Sequence, residues 1–102
     1  MSSTFEVTIT GHSMWPTLSD GQRVLFENSH HSKLPIGAIV LARHPLKSGL
    51  LIVKRIKEEL DGNFYFIEGD NPDPLASEDS HNFGPVHWND IIGIHCETKQ
   101  TK

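Results

Sequence analysis

The chain has 102 residues, of which 36% are hydrophobic and 22% charged, and a formal net charge of −4. That length supports one domain with a single modest core, and an acidic balance without a basic stripe excludes a general nucleic-acid binder. The strongest apolar runs, around Ile36–Ala42 and Leu50–Val53, fall far short of the roughly 20 residues of a membrane helix, so no bilayer span is expected.

Met1-Ser2-Ser3-Thr4 has neither the basic nor the apolar region of a secretory signal, so the expected location is cytoplasmic. Phe5, Val7 and Ile9 then alternate with Glu6, Thr8 and Thr10, the period of a strand with one buried face. Gly11-His12-Ser13-Met14-Trp15-Pro16-Thr17-Leu18 follows as a turn entered by glycine and left by proline, which holds Ser13 in a rigid loop. On this stretch alone Ser13 reads either as part of a polar turn or as a presented nucleophile. Ser19-Asp20-Gly21 turns the chain into a second strand at Arg23–Phe26, and Glu27–Lys33, with His30-His31, reads as a polar connector closed by Pro35.

Gly37–Ala42 reads as a mostly buried strand ended by His44-Pro45, and Lys47-Ser48-Gly49 turns into a strand over Leu50–Lys57. Lys57-Glu58-Glu59-Leu60 is the best helix-forming stretch, too short for more than one turn before Asp61-Gly62, which joins the strand to Phe64–Ile67 as a hairpin. Gly69–Gly84 reads as a long loop without regular structure, and Asp90–Ile94 as a last short strand. The expected fold is all-β, a coiled sheet or partly open barrel, with one domain over 1–97 and a polar tail over 98–102.

A serine hydroxyl needs a base to become a nucleophile. Strand alternation places Lys54 on the face of Leu50, Ile52 and Ile56, with Arg55 on the opposite face beside Leu51 and Val53. Burial there disfavours the ammonium and lowers its pKa from about 10.4 towards the range of roughly 7 to 8 that suits a base. A snorkelling lysine that covers the core with its stem is the other reading. Arg55 is expected to pair with a loop carboxylate. His30, His31 and His44 fall in polar connectors and His95 lies beside the tail, none with an identifiable carboxylate partner. In the long loop, Ser77 is a candidate to bond the lysine and Asp79 to hold the loop through its backbone or a cation. Asp70, Asp73 and Asp79 lack the spacing and closing glutamate of a calcium loop, so no metal is expected, and the single Cys96 reads as an incidental or structural thiol.

Together, Gly11–Leu18, Val53-Lys54-Arg55-Ile56 and Gly69–Gly84 resemble, in order, the three main sequence boxes of the signal-peptidase-like serine endopeptidases. The resemblance implies a coiled antiparallel β architecture of the signal-peptidase and SOS-repressor peptidase type. It implies that Ser13 is the nucleophile, Lys54 the general base, Ser77 the serine that orients the lysine amine and Asp79 the loop aspartate that supports the site. The oxyanion would be held by main-chain N–H groups, that of Ser13 foremost, because the position that carries a hydroxyl in some relatives is Gly11 here. Met14, Trp15 and Pro16 are the candidate substrate contacts. No cofactor is implied.

Two departures shape the expected substrate. The usual Asp-Ser-Arg of the loop is Asp79-Ser80-His81, a pair whose charge depends on pH, and only twelve residues precede Ser13, too few for the membrane anchor of conventional signal peptidases. With Ala42-Arg43-His44-Pro45, the pattern is most similar to the anchorless proteases that mature nickel-type superoxide dismutase, which implies the precursor of that dismutase as protein partner, with neither nucleic acid nor membrane. The alternatives are a nickel-binding or delivery module using His12, His30, His31, His81, His87, His95 and Cys96, an inactive scaffold, and a self-cleaving repressor-type peptidase domain.

Overall fold

A computed structural model describes residues 3–29 and 33–96. Its strands are β1 (Thr4–Thr8), β2 (Arg23–Asn28), β3 (Ile39–Arg43), β4 (Leu51–Leu60), β5 (Phe64–Glu68), β6 (Val86–His87) and β7 (Ile91–His95). They form one seven-stranded sheet in the order β1-β2-β7-β3-β4-β5-β6, with every neighbouring pair antiparallel and the ends not joined. The expected all-β architecture is therefore the one observed, as an open coiled sheet. Among the described residues no helix is long and apolar enough to cross a membrane.

The centre of the sheet explains why Ile39–Ala42 is an unbroken apolar run. Val40 and Ala42 pack with Leu34, Ile56, Tyr65, Ile67, Val86 and Ile91, while Ile39 and Leu41 pack with Ile9, Met14, Leu18, Val24 and Phe26. Successive side chains of a strand point to opposite faces, so a strand covered on both sides has no polar position to spare. The second cluster takes Met14 and Leu18 from the Ser13 loop, which ties that loop to the core.

Three local expectations are corrected. Lys57–Leu60 continues β4 as strand, with a register shift between Ile56 and Glu58, because pairing to Phe64–Phe66 outweighs a short stretch's helix propensity. The Asp61-Gly62 turn forms as expected, with φ of 56° and 71°. β2 runs on through Glu27 and Asn28, which the sequence suggested were connector; His30, His31 and the tail over 98–102 lie outside the described residues. The loop after β5 is not irregular throughout. It holds a 3₁₀ turn at Pro74–Ala76, capped by Asp73, and a one-turn helix α1 (Ser80–Phe83), capped by Asp79. A second 3₁₀ turn, Trp88–Asp90, follows the two-residue β6, which the sequence reading missed.

Candidate active site

The Ser13 loop is a closed local structure. Trp15 N–H donates to the His12 carbonyl (3.1 Å) and Leu18 N–H to that of Met14 (2.9 Å), while Gly11, at φ 84°, donates its N–H to Asp20 Oδ1 (2.7 Å). The Trp15–Pro16 bond is cis. From outside, the loop is gripped by Asn71, whose backbone N–H donates to the Ser13 carbonyl (2.9 Å) and whose Nδ2 donates to the His12 carbonyl (2.7 Å). Neighbouring Asp70 accepts from Thr17 Oγ1 (2.6 Å) and from Arg55 Nε and Nη2 (2.8 and 2.6 Å). Arg55 thus has a loop carboxylate as its partner and also donates to the Gly37 carbonyl (2.7 Å). The forked Arg55 contact, then burial acting the other way, then Thr17, leave the Asp70 carboxyl below its ordinary range.

Lys54 stands opposite Val40 in the β3–β4 register, and directly opposed residues of an antiparallel pair share a face. It is only 5% exposed, yet its Nζ lies 3.0 Å from Ser13 Oγ. Burial lowers its pKa below the 10.5 of a free lysine, and the Asp79 and Glu78 carboxylates oppose that shift without cancelling it. The lysine is therefore buried with its head group aimed at a hydroxyl, not snorkelling to water.

Beside this pair, the Asp79 carboxylate is surrounded by donors. Oδ2 accepts from Gly69 N–H (3.1 Å) and Ser77 Oγ (3.3 Å), and Oδ1 from the His81 N–H (3.1 Å) and the His81 ring Nδ1 (2.9 Å). Burial alone would raise the Asp79 pKa, but the bonds from Gly69 and His81 hold it below the usual range. The same aspartate closes a capping box with Asn82, whose Oδ1 accepts the Asp79 N–H (3.0 Å). Ser77 is half-buried and bonded to Asp79; its side chain also packs on Gly69, where a Cβ would sit 2.6 Å from the Ser13 carbonyl oxygen. Gly69 is what lets the two loops meet.

A groove of about 380 Å³ opens beside Ser13 and Lys54, lined by Val7–Thr10 at the end of β1 and just beyond it, and by Leu50–Val53. β5 pairs with β4 only from Arg55 onward, so the Leu51–Lys54 half of β4 has β3 on one side and the groove on the other. Of the expected substrate contacts, Met14 lines this groove although buried, whereas Trp15 and Pro16 are exposed and stand outside its lining.

The described histidines are dispersed. His81 is bonded to Asp79, His87 packs on Phe64 and Trp88, and the His95 ring lies 3.0 Å from the Leu25 carbonyl. Among the described residues no three His, Cys, Asp or Glu side chains are grouped to hold a metal ion. The reading of His44 is corrected: it is buried, and its Nε2 lies 3.0 Å from Glu78 Oε1. Asn71 and Gly69 are the residues holding the Ser13 loop that sequence reasoning missed, and it also missed the His44–Glu78 contact. A glycine and an Asn-Pro step at the mouth of a long loop were the available signals for the first two.

A hydroxyl against a buried amine, in a groove between two strand edges, is an arrangement suited to attack on a peptide carbonyl. The open all-β fold is that of a serine-peptidase type of domain. The chain matches the family described as Peptidase S24-like over residues 1–95 and belongs to it. A search of curated proteins returned no match.

Proposed function

We propose that the protein is a serine endopeptidase working through a Ser13–Lys54 dyad, and that it removes an N-terminal leader from a precursor protein, that of a nickel-type superoxide dismutase. The carrying observation is the 3.0 Å contact between Ser13 Oγ and a lysine whose ammonium is disfavoured by burial. With Lys54 neutral, its nitrogen takes the Ser13 proton as Oγ attacks the scissile carbonyl, then returns that proton to the leaving amine; water releases the acyl group by the same route in reverse. Ser77 and Asp79 hold the loop beside the amine.

The oxyanion falls to the Ser13 N–H. The His12–Ser13 peptide is trans and its carbonyl is held by Asn71, so the Ser13 N–H points away from the Asn71 loop. An extended peptide suits the groove because strand edges on both flanks offer main-chain partners, and the apolar lining of Ile9, Met14, Leu41 and Val53 favours small apolar side chains next to the cut.

The test is the intact mass of a nickel superoxide dismutase precursor incubated with the protein, with Ser13→Ala as control. One cleavage, lost in the control, supports both the dyad and the substrate. An unchanged precursor together with Ser13-dependent cuts in a proteome-derived peptide library keeps the dyad and removes the substrate; cleavage of the protein incubated alone favours the self-cleaving reading.

A further inference from the structure

His44 lies outside the groove, yet it is among the most completely buried polar side chains, with its side chain 1% exposed and its ring 4.7 Å from that of Phe83. Its Nδ1 accepts the backbone N–H groups of Leu46 (3.0 Å) and Lys47 (3.1 Å). Amides only donate, so Nδ1 carries no proton and the ring proton sits on Nε2. Nε2 therefore donates to Glu78 Oε1, the oxygen that also accepts from Lys47 Nζ (3.2 Å). Glu78 is exposed, and it is the residue between Ser77 and Asp79.

We propose that His44 is a positioning residue of the Ser13–Lys54 site, a neutral strut between the end of β3 and Glu78 that fixes the extended Ser77–Asp79 segment beside Lys54. The inference rests on the peptidase reading for its activity readout alone. Lys54 is on β4, which pairs with β3, whereas Ser77 and Asp79 sit on a loop that leaves the sheet after β5. Asp79 and Ser80 anchor that loop to Gly69 and Ile67 on the β5 side (3.1 and 2.9 Å). The His44–Glu78 bond anchors it to the end of β3, the strand paired with the one that carries the lysine. A segment held from both sides keeps Ser77 and Asp79 in place beside the amine, and a displacement of about 1 Å at such a site costs about a hundredfold in rate.

Two substitutions separate the two ends of the ring. In His44→Gln the side-chain nitrogen has the reach of Nε2 and still donates to Glu78, but the Nδ1 acceptor is gone. In His44→Asn the side-chain oxygen replaces Nδ1 and still accepts from Leu46 and Lys47, but nothing reaches Glu78. Amide hydrogen exchange over Ser77–Asp79 is compared with turnover of the fastest-cleaved peptide of the library. His44→Asn is expected to speed exchange in that segment about tenfold and to lower kcat ten- to a hundredfold with KM within about twofold, whereas His44→Gln stays within about threefold of the parent in both. Glu78→Ala, a change at an exposed position, is expected to reproduce His44→Asn without touching the core. Equal effects of Gln and Asn, or parent-like exchange in both His44→Asn and Glu78→Ala, overturn the strut. If the parent shows no Ser13-dependent cleavage, the peptidase reading fails, and exchange alone decides the strut by the same criteria.

Discussion

Replacing Lys54 separates the chemical role proposed for it from its structural cost. Lys54→Met keeps an unbranched stem of similar size and removes the amine. Losing a positioned base is expected to lower turnover by about 10²–10⁴-fold, or about 3–5 kcal/mol of barrier. Stability is expected to move the other way. Burying a polar group costs about 1–3 kcal/mol, and the single hydrogen bond to Ser13 returns about 1 kcal/mol, so removing both leaves the variant more stable by about 1 kcal/mol. For a domain of this size that is a rise of about 4–8 °C in Tm.

The pH dependence follows from the direction of the pKa shift. The folded-state pKa of Lys54 lies below its unfolded value, so between the two the unfolded chain binds more protons and parent stability rises with pH. The gain in Lys54→Met is therefore largest on the acid side of that window and shrinks as pH climbs towards 10.5. Lys54→Arg loses the same activity, because a guanidinium does not deprotonate, but strands a fixed charge at a site 5% exposed; it is expected to cost about 3 kcal/mol, softened by Asp79 and Glu78 nearby. Turnover of the cleaved peptide against Ser13→Ala, with thermal unfolding between about pH 6 and 10, measures all of this. Parent-like turnover in either variant refutes the base. A Lys54→Met protein less stable than the parent at every pH refutes the burial argument.

In the parent, turnover is expected to rise with pH along a limb centred below 10.5, and a flat profile in a peptide for which chemistry limits the rate contradicts this. Gly69→Ala places a methyl 2.6 Å from the Ser13 carbonyl and against Ser77, so it is expected to lower turnover at least tenfold, seen in steady-state kinetics with the circular-dichroism spectrum preserved. Asp70→Asn loses the forked ion pair with Arg55 and is expected to cost about 1–3 kcal/mol at neutral pH. Because the folded Asp70 pKa is depressed, that contribution is present above its unfolded pKa and fades as pH falls through the folded one; the difference in urea midpoint between parent and variant is expected to narrow in acid.

Much of the fold was legible as local pattern. The alternation of Phe5, Val7 and Ile9, the apolar run of β3 and the Asp61-Gly62 turn each report which face a side chain takes, and that is a property of neighbours in sequence. The failures were also local. Lys57–Leu60 was read by helix propensity, but cross-strand pairing to Phe64–Phe66 supplies the partners that keep it extended. The Asp79 capping box escaped notice because its N3 position holds Asn82 instead of the more familiar glutamate or glutamine.

The residues at the site divide the same way. By itself the sequence determined that Ser13 sits in a rigid loop after a strand and that Lys54 takes the apolar face of its own. Only the tertiary structure decided that they meet, 41 positions apart, that Asn71 reaches back 59 positions to the His12 carbonyl, and that buried His44 meets Glu78 34 positions on. The physical reason is that period and turn chemistry orient a side chain relative to its own strand, whereas the approach of two strands and a loop follows from covering both faces of β3 at once, a condition that no single segment carries.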